Sequence, residues 1–340
     1  MIFDSPEKHR RAFNAGLRTL LENDSAGAFI LALANATFDP EVWAALHTRL
    51  HERLKDWRQR YQDVLADGGE PADAPDDIAV MLRLLVVGFE RLTPTEFRRI
   101  GDWEAQFNQL RAFRPKRMAG ESVASTRKPF NEQGFHFDKP FLQDEVFWQG
   151  ELAGRTVQLL YNKFPFVEQH GLLVPEPRRH LPQWLTADDH EWLFALCAAV
   201  GENLPGFGAG YNAYGAYSSV NHLHFQTFVR ERPLPLSAPH WRHNGGDRDY
   251  PSACQRFDAA GPAWDFIADL RRREIAYNLL YVPGYCYCLP RRFQGSYPNP
   301  AWSGGFAWYE LSGGFTTFSR ADFLALDEAA IEAGLNSLRV

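Results

Sequence analysis

One stretch of this chain, Gly206 to Arg230, constrains the fold and the chemistry more than any other. From Val220 to Val229, β-branched and aromatic residues alternate with polar ones, which predicts a strand whose successive side chains point to opposite faces. One face would carry two imidazoles and an amide, from His222, His224 and Gln226. The other face would pack on a core through Leu223, Phe225 and Thr227.

Glycine is frequent just before this predicted strand, at Gly206, Gly208, Gly210 and Gly215. Glycine permits positive φ angles and close approach of the backbone, so the pattern predicts a loop that cradles phosphate. Two half-buried, hydrogen-bonded histidines with a structural role are the alternative interpretation. The glycines, together with Ser219 five residues before His224, favour a functional site.

The run His-Leu-His-Phe-Gln resembles the signature of the histidine-triad superfamily in the variant that has glutamine at the third position. Galactose-1-phosphate uridylyltransferases and diadenosine tetraphosphate phosphorylases carry that variant. The longer string from Gly210 to Gln226 is most similar to the GDP-L-galactose and GDP-D-glucose phosphorylases. The resemblance covers roughly residues 130–340.

The resemblance implies an α+β fold: a histidine-triad-like antiparallel sheet with an internal degenerate repeat, preceded by an N-terminal helical region. We expect that helical region over 1–120 and the nucleotidyltransferase domain over 121–340. Within this domain, the catalytic half would span about 130–232 and the degenerate second half about 265–340.

Apolar residues recur at helical spacing in the first third of the chain. Helices are expected between Ser5 and Ala66, with Pro40 in a first turn. A polar loop over 67–77 separates them from a helix expected at Ile78–Leu92. A further amphipathic run, from Thr95 to Phe113, also predicts a helix. The cluster Arg114-Pro115-Lys116-Arg117 follows. It is either a basic lip for phosphate or a solvated loop.

After Gly134 the pattern changes to strands and a helix. Strands are expected at Thr156–Phe164 and Gly171–Val174, then a helix at Thr186–Glu202 with Thr186 as N-cap. Leu159-Leu160-Tyr161 is echoed by Leu279-Leu280-Tyr281, which indicates the repeat. The second copy would continue through Phe306–Tyr309 and Phe315–Phe318 to a closing helix over Ala321–Leu338. Because this copy lacks a His-x-His motif, we expect one active site per chain.

The resemblance also implies a role for each residue of the motif. His224 would be the nucleophile that carries a covalent nucleotidyl group, because an imidazole nitrogen both attacks phosphorus and leaves again. His222 would orient the site through hydrogen bonds. Gln226 can hold a phosphoryl oxygen but cannot donate a proton to a leaving group at neutral pH, and in the family this exchange accompanies transfer or phosphorolysis rather than hydrolysis.

Further residues are expected to contact the substrate: Ser219, Asn212, Lys163, Asn162, Gly215 and Asn221. Ser219 matches a serine that contacts the displaced phosphate in the uridylyltransferases. Asn162 and Lys163 belong to an Asn-Lys-Phe-Pro string that is also found in diadenosine tetraphosphate phosphorylases. Lys163 would neutralise phosphate charge, and a lysine extended over apolar surface at a strand end is the alternative.

The resulting prediction is a phosphorylase-type nucleotidyltransferase that acts on a nucleotide sugar similar to GDP-hexose, with phosphate or a phosphorylated compound as acceptor. A dinucleoside polyphosphate phosphorylase or hydrolase is the nearest alternative. A metal-dependent enzyme that uses His222 and His224 as ligands, and a non-catalytic nucleotide-binding module, are alternatives of other classes. In some uridylyltransferases the histidine that matches His222 binds a structural metal, but the supporting paired cysteines are missing here, so we expect neither a metal nor a cofactor.

Composition restricts the partners. A net charge of −6 and a pI near 6.0 argue against nucleic acid, because such binding relies on clustered Lys and Arg. No apolar stretch approaches the roughly 18 residues of a membrane span, and no signal peptide is visible. The four cysteines show no Cys-x-x-Cys spacing, so we expect a cytoplasmic protein without disulfides. The expected assembly is a monomer or a homodimer.

Overall fold

A computed structural model describes residues 2–114 and 123–340 of the chain. Lys116 and Arg117 of the predicted basic cluster lie outside these residues. No helix of the described ranges is long and apolar enough to cross a membrane.

The N-terminal part is helical, as the spacing of apolar residues predicts. Its helices are α1 (Pro6–Leu20), α2 (Ala26–Phe38), α3 (Pro40–Ala66) and α4 (Pro75–Val87). Asp39 caps α3 and Pro40 occupies its first turn. All 13 residues of α2 are buried, because a helix that is apolar on every side is stable only when it is surrounded.

The amphipathic run from Thr95 to Phe113 does not form the helix that was predicted. It forms a hairpin of β1 (Glu96–Ile100) and β2 (Trp103–Phe107), followed by the short helix α5 (Gln109–Ala112). The connection consists of two residues, Gly101 and Asp102, and Gly101 has a φ of +55°. A two-residue turn of this kind is a hairpin signal that outweighs helical periodicity.

An eight-stranded antiparallel sheet forms the centre of the molecule, in the order β3-β4-β5-β7-β6-β9-β10-β8. Its strands are β3 (Val146–Leu152), β4 (Arg155–Tyr161), β5 (Gly171–Pro175), β6 (Phe207–Asn212), β7 (Phe225–Val229), β8 (Gln255–Phe257), β9 (Ala276–Val282) and β10 (Tyr285–Arg291). Helices α6 (Ala187–Gly201) and α7 (Ala260–Arg272) share one buried core with one face of this sheet. The predicted N-cap Thr186 is confirmed, with a complete capping box to Asp189.

The strand predicted over Val220–Val229 is too long, since β7 begins only at Phe225. Before it, the backbone N–H of Leu223 donates to the carbonyl of Leu181, and that of His224 donates to the side chain of Gln183. A side chain here replaces a backbone partner, so no ladder forms. The expected alternation persists, because Leu223 and Phe225 lie in the core beneath α6 and α7.

Two of the glycines before the motif, Gly208 and Gly210, do not belong to the predicted phosphate loop. Gly208 and Gly210 lie within β6, a central strand paired with β7 and β9. A β-carbon at Gly208 would clash with the ring of Phe228, and one at Gly210 would clash with the indole of Trp308. These glycines therefore let aromatic rings pack directly on the strand.

The second half of the chain matches the predicted repeat only in its first two strands. β4 and β9, which carry the two Leu-Leu-Tyr copies, each begin an antiparallel pair. Of the later segments, Phe306–Tyr309 runs into helix α8 (Trp308–Leu311), and Phe315–Phe318 overlaps strand β11 (Gly314–Thr317). The closing helix is divided into α9 (Arg320–Ala325) and α10 (Glu328–Asn336).

β11 does not join the large sheet. It pairs in parallel with β2 to form a separate sheet of order β1-β2-β11. The hairpin from residues 96–107 thus shares a sheet with residues 314–317, on either side of the predicted division at residue 120. That division, with its two halves, stays a prediction.

Replacement of Gly210 by Ala should destabilise the protein by about 1–3 kcal/mol, because the added methyl group must displace the indole of Trp308 or the backbone of β6. Urea unfolding monitored by circular dichroism measures the change. Gly261→Ala is the matched control, since a β-carbon there, in α7, meets no atom within 4 Å. A Gly210→Ala protein as stable as the control would contradict this packing argument.

Candidate active site

His224 immediately precedes β7, and only 5% of its surface is exposed. Its Nδ1–H donates to the backbone carbonyl of His222, 2.8 Å away. Nε2 therefore carries the lone pair, and no side chain or backbone group of the described residues forms a hydrogen bond with it. Burial lowers the pKa of His224 to about 4, so this imidazole is neutral at physiological pH. The ring thus presents one unprotonated nitrogen in fixed orientation.

Gln183 holds the backbone of His224 on both sides. Its Oε1 accepts from the His224 N–H at 2.9 Å, and its Nε2 donates to the His224 carbonyl at 3.2 Å. The same Nε2 donates to the carbonyl of Asn212, at the end of β6. Gln183 was not predicted from the sequence, because no motif or periodicity distinguishes it.

His222 is fully buried beside His224. Its Nδ1 accepts from the backbone N–H of Phe137 at 3.1 Å, which places the proton on Nε2. Nε2 is buried and has no partner among the described residues. Burial, reinforced by His224, lowers the pKa of His222 to about 3. Phe137 covers both imidazoles, with ring centroids 5.8 Å from His222 and 4.9 Å from His224.

The carboxamide of Gln226 is oriented by two donors. Its Oε1 accepts from the indole Nε1–H of Trp308 at 2.9 Å and from Nε2 of His170 at 3.2 Å. His170 can donate there because its Nδ1 accepts from the backbone N–H of Phe166. Since the amide oxygen is occupied, the NH₂ group of Gln226 is the end left to donate to a ligand.

His170 and Trp308 are further residues of the site that were not predicted from the sequence. Burial, and then the charge of Arg111, lower the pKa of His170 to about 3, so it is neutral. Arg111 itself is buried, with its guanidinium 4.7 Å from the ring centroid of Phe166. An indole and an imidazole distant in sequence thus decide which end of Gln226 is free.

Two of the predicted contact residues adjoin this arrangement. Asn212 Oδ1 accepts from Asn278 at 2.6 Å and from the backbone N–H of Trp308 at 2.9 Å. The backbone N–H of Asn162 donates to the carbonyl of His170 at 3.1 Å. Both asparagines therefore belong to the network that surrounds Gln226, and their contact with substrate stays a prediction.

Three predicted contact residues lie in the segment that leads to His224. Asn221 braces this segment, because its Oδ1 accepts from the backbone of Gln183 and its Nδ2 donates to the carbonyls of Lys128 and Pro129. Ser219 is exposed. Gly215 has a φ of +84°, and a β-carbon added at this position would clash with the ring of Phe293.

The charge of Lys163 is already paired within the protein. Its Nζ lies 2.6 Å from Oδ1 of Asp77, near the start of α4, and both side chains are mostly buried. The expected neutralisation of substrate phosphate would require Lys163 to exchange Asp77 for the ligand. Its predicted substrate contact therefore has a competitor in the protein itself.

The donor atoms of Glu132, His136 and His180 lie within 4.8 Å of one another, so these three residues could hold a metal ion. His180 lies between two carboxylates, with Nδ1 2.8 Å from Glu132 and Nε2 3.1 Å from Asp138. The hydrogen bond to Glu132 raises the pKa of His180. The pair His222 and His224 is not part of this cluster, and a protein without a bound metal stays a prediction.

Residues 101–228 match the family model described as "GDPGP1-like, N-terminal domain". The chain is 30% identical over 211 residues to human GDP-D-glucose phosphorylase 1 and 33% identical over 211 residues to the Macaca fascicularis protein of the same name, covering 53% of this chain and 52% of each relative. It is 32% identical over 149 residues to GDP-L-galactose phosphorylase 1 of Arabidopsis thaliana, covering 39% of this chain and 33% of that protein. The chain thus spans about half the length or less of these curated relatives.

Among solved structures, the chain is similar to yeast Ap4A phosphorylase Apa2, with a TM-score of 0.52 and 15% identity over 77% of this chain and 94% of that one. The same yeast protein in complex with Ap4A gives a TM-score of 0.50. The similarity confirms the predicted α+β fold, and the sequence matches confirm the resemblance to the GDP-hexose phosphorylases.

The buried histidines should make stability depend on pH. His170, His222 and His224 bind protons in the unfolded chain below about pH 6.5 but remain neutral in the folded protein down to about pH 4. The unfolded state then holds more protons, so the free energy of unfolding falls as the pH is lowered, by up to about 1.4 kcal/mol per pH unit for each histidine.

Urea unfolding at pH 7, 6 and 5 measures this dependence. His170→Gln should remove about 1 kcal/mol per pH unit from the slope between pH 6 and 5. His47→Gln, at an exposed position on α3, is the matched control. If the slope of His170→Gln equalled that of wild type, the protonation argument would be wrong.

Proposed function

We propose that this protein is a phosphorylase-type nucleotidyltransferase that transfers the nucleoside monophosphate of a GDP-hexose-like nucleotide sugar to inorganic phosphate. The observation that carries the proposal is the pairing of a neutral, buried His224 with Nε2 unoccupied and a Gln226 whose amide NH₂ is the free end. A nucleophile and an oxyanion donor are the two groups that such a transfer requires.

In the first half-reaction, Nε2 of His224 attacks the α-phosphorus. A P–N bond forms, and the bond from the α-phosphorus to the bridging oxygen of hexose 1-phosphate breaks. The carbonyl of His222 stabilises the positive ring that results, because it already accepts the Nδ1–H at 2.8 Å. The hexose 1-phosphate leaves as an anion, so no proton donor is needed.

In the second half-reaction, an oxygen of inorganic phosphate attacks the same phosphorus, the P–N bond breaks, and the neutral imidazole returns. The Gln226 amide would donate to the non-bridging oxygens in both steps, without supplying a proton. Two oriented hydrogen bonds hold that amide before substrate arrives, so little reorganisation is required during the reaction.

The choice of substrate is supported by the relatives that are named GDP-D-glucose and GDP-L-galactose phosphorylases. A dinucleoside polyphosphate phosphorylase is the second candidate, because the shared fold extends over 94% of yeast Ap4A phosphorylase Apa2. Monomer or homodimer assembly and a cytoplasmic location are further proposals, the latter supported by the four free cysteines.

A metal-dependent site built from His222 and His224 is disfavoured by their hydrogen bonds. His224 Nδ1 donates to a carbonyl, and the proton of His222 is on Nε2, because its Nδ1 accepts from Phe137. Only His224 therefore offers a lone pair in this arrangement. A non-catalytic module would have no need of a neutral, oriented imidazole at this position.

Replacement of His224 by Ala should lower kcat by about 10⁴-fold or more, because no neighbouring group replaces the nucleophile. Gln226→Ala should lose less, about 10²–10³-fold, since it removes one donor to the transition state. Both variants are compared with wild type for GDP-hexose turnover and for urea midpoint. His190→Gln, a buried histidine bound to Tyr281, is the control. A folded His224→Ala enzyme with near-normal kcat would refute the nucleophile.

The products should depend on phosphate. Incubation with GDP-hexose and phosphate should give GDP and hexose 1-phosphate rapidly, whereas without phosphate the reaction should stop after about one equivalent per active site. Chromatography separates GDP from GMP. Multiple turnover to GMP at a rate indifferent to phosphate would indicate a hydrolase instead.

A further inference from the structure

An open depression of about 410 Å³ lies on the face of the sheet that α6 and α7 cover. We name it the Trp-Arg cleft. Its lining includes Trp184, Trp264, Arg127, Arg271, Arg272 and Glu274. It shares no lining residue with the site around His224. Its volume falls in the range of small-molecule pockets, about 300–1,000 Å³.

The cleft places two guanidinium groups on one indole. Arg127 lies 4.2 Å and Arg271 3.7 Å from the ring centroid of Trp184, and Arg271 also lies 5.2 Å from that of Trp264. Both tryptophans remain partly exposed. Large aromatic rings that stay in contact with solvent beside cations are typical of a surface that recognises a ligand.

The two charges have no carboxylate partner. Within the described residues, neither Arg127 nor Arg271 forms a salt bridge, and the Nε of Arg271 is buried without a hydrogen-bond partner. Burial is the main cause of the lowered pKa of Arg271; the nearby charge of Arg127 lowers it further, whereas Tyr277 and Tyr211 oppose the shift. Arg272 pairs with Asp269. Glu274 accepts hydrogen bonds from Thr126 and keeps its negative charge, so the lining still carries more positive than negative charge.

The geometry indicates what would relieve the repulsion. A guanidinium stacked on an indole keeps its N–H donors in its own plane, where they form paired hydrogen bonds to a phosphate or carboxylate. Arg271 uses Nη1 for the carbonyl of Leu185, which leaves other N–H groups for an anion. The partly exposed indole of Trp264 offers a surface for an aromatic ring at the same time.

We propose that the Trp-Arg cleft is a nucleotide-binding site separate from the active site, with the phosphates on Arg127 and Arg271 and the base against Trp264. The two unpaired cations and two accessible indoles together match a ligand that combines negative charge with an aromatic ring. Inorganic phosphate offers only the charge, and a nucleoside only the ring.

Isothermal titration of wild type and of the double variant Arg127→Met/Arg271→Met with GDP tests the proposal. The double variant should bind one equivalent fewer than wild type. That difference does not depend on the proposed function, because an active site that fails to bind GDP removes one equivalent from both proteins. Arg273→Met is the matched control, since Arg273 is exposed at the end of the same helix and pairs with Asp269.

Trp264→Leu provides a second variant that keeps both arginines. It should weaken GDP binding at the cleft about tenfold or more, because a stacked base contributes strongly to affinity. Inorganic phosphate and pyrophosphate are titrated in parallel and should bind the cleft more weakly than GDP. Equal stoichiometry and affinity in wild type and the double variant would overturn the proposal, and so would pyrophosphate that bound as tightly as GDP.

Discussion

The hydrogen bond from His224 Nδ1 to the carbonyl of His222 determines what the candidate site can do. An imidazole has two nitrogens, and this bond assigns the proton to one and the lone pair to the other. Gln183 then fixes the backbone that makes the bond possible, because it holds His224 at both its N–H and its carbonyl. Burial keeps the ring neutral, so orientation and protonation state have a common origin in the packing around β7.

Gln226 depends in the same way on residues distant in sequence. Its amide is oriented by Trp308, which belongs to the second half of the chain, and that indole fits only because Gly210 has no side chain. Asn212 joins the same unit, because it accepts from the backbone of Trp308 and from Asn278 on β9. The half that lacks a His-x-His motif therefore still shapes the site, by supplying the groups that hold Gln226 in place.

The sequence predicted the α+β fold, the helices before residue 67, and the strands and helix around Thr186, because each rests on a local period or cap. It predicted the wrong structure for residues 95–113, where a two-residue turn outweighs helical spacing, and for Gly208 and Gly210, whose partners are rings more than 15 residues away in the chain. The same reason explains why the sequence did not predict Gln183, His170 and Trp308 as residues of the site, since only tertiary contacts bring them to the motif. The pairing of Lys163 with Asp77 was likewise invisible without the fold.

The small sheet has a consequence for how the polypeptide reaches its folded state. β1 and β2 form a local hairpin, but the third strand, β11, comes more than 200 residues later in the chain. Until residues 314–317 have been synthesised, the outer edge of β2 exposes unpaired backbone groups that invite pairing with another chain. Contacts of such long sequence separation also slow folding, because their loop must close before they contribute any stability. Truncation before β11 would therefore leave an unpaired, aggregation-prone edge on β2 next to a large sheet that contains all of its strands.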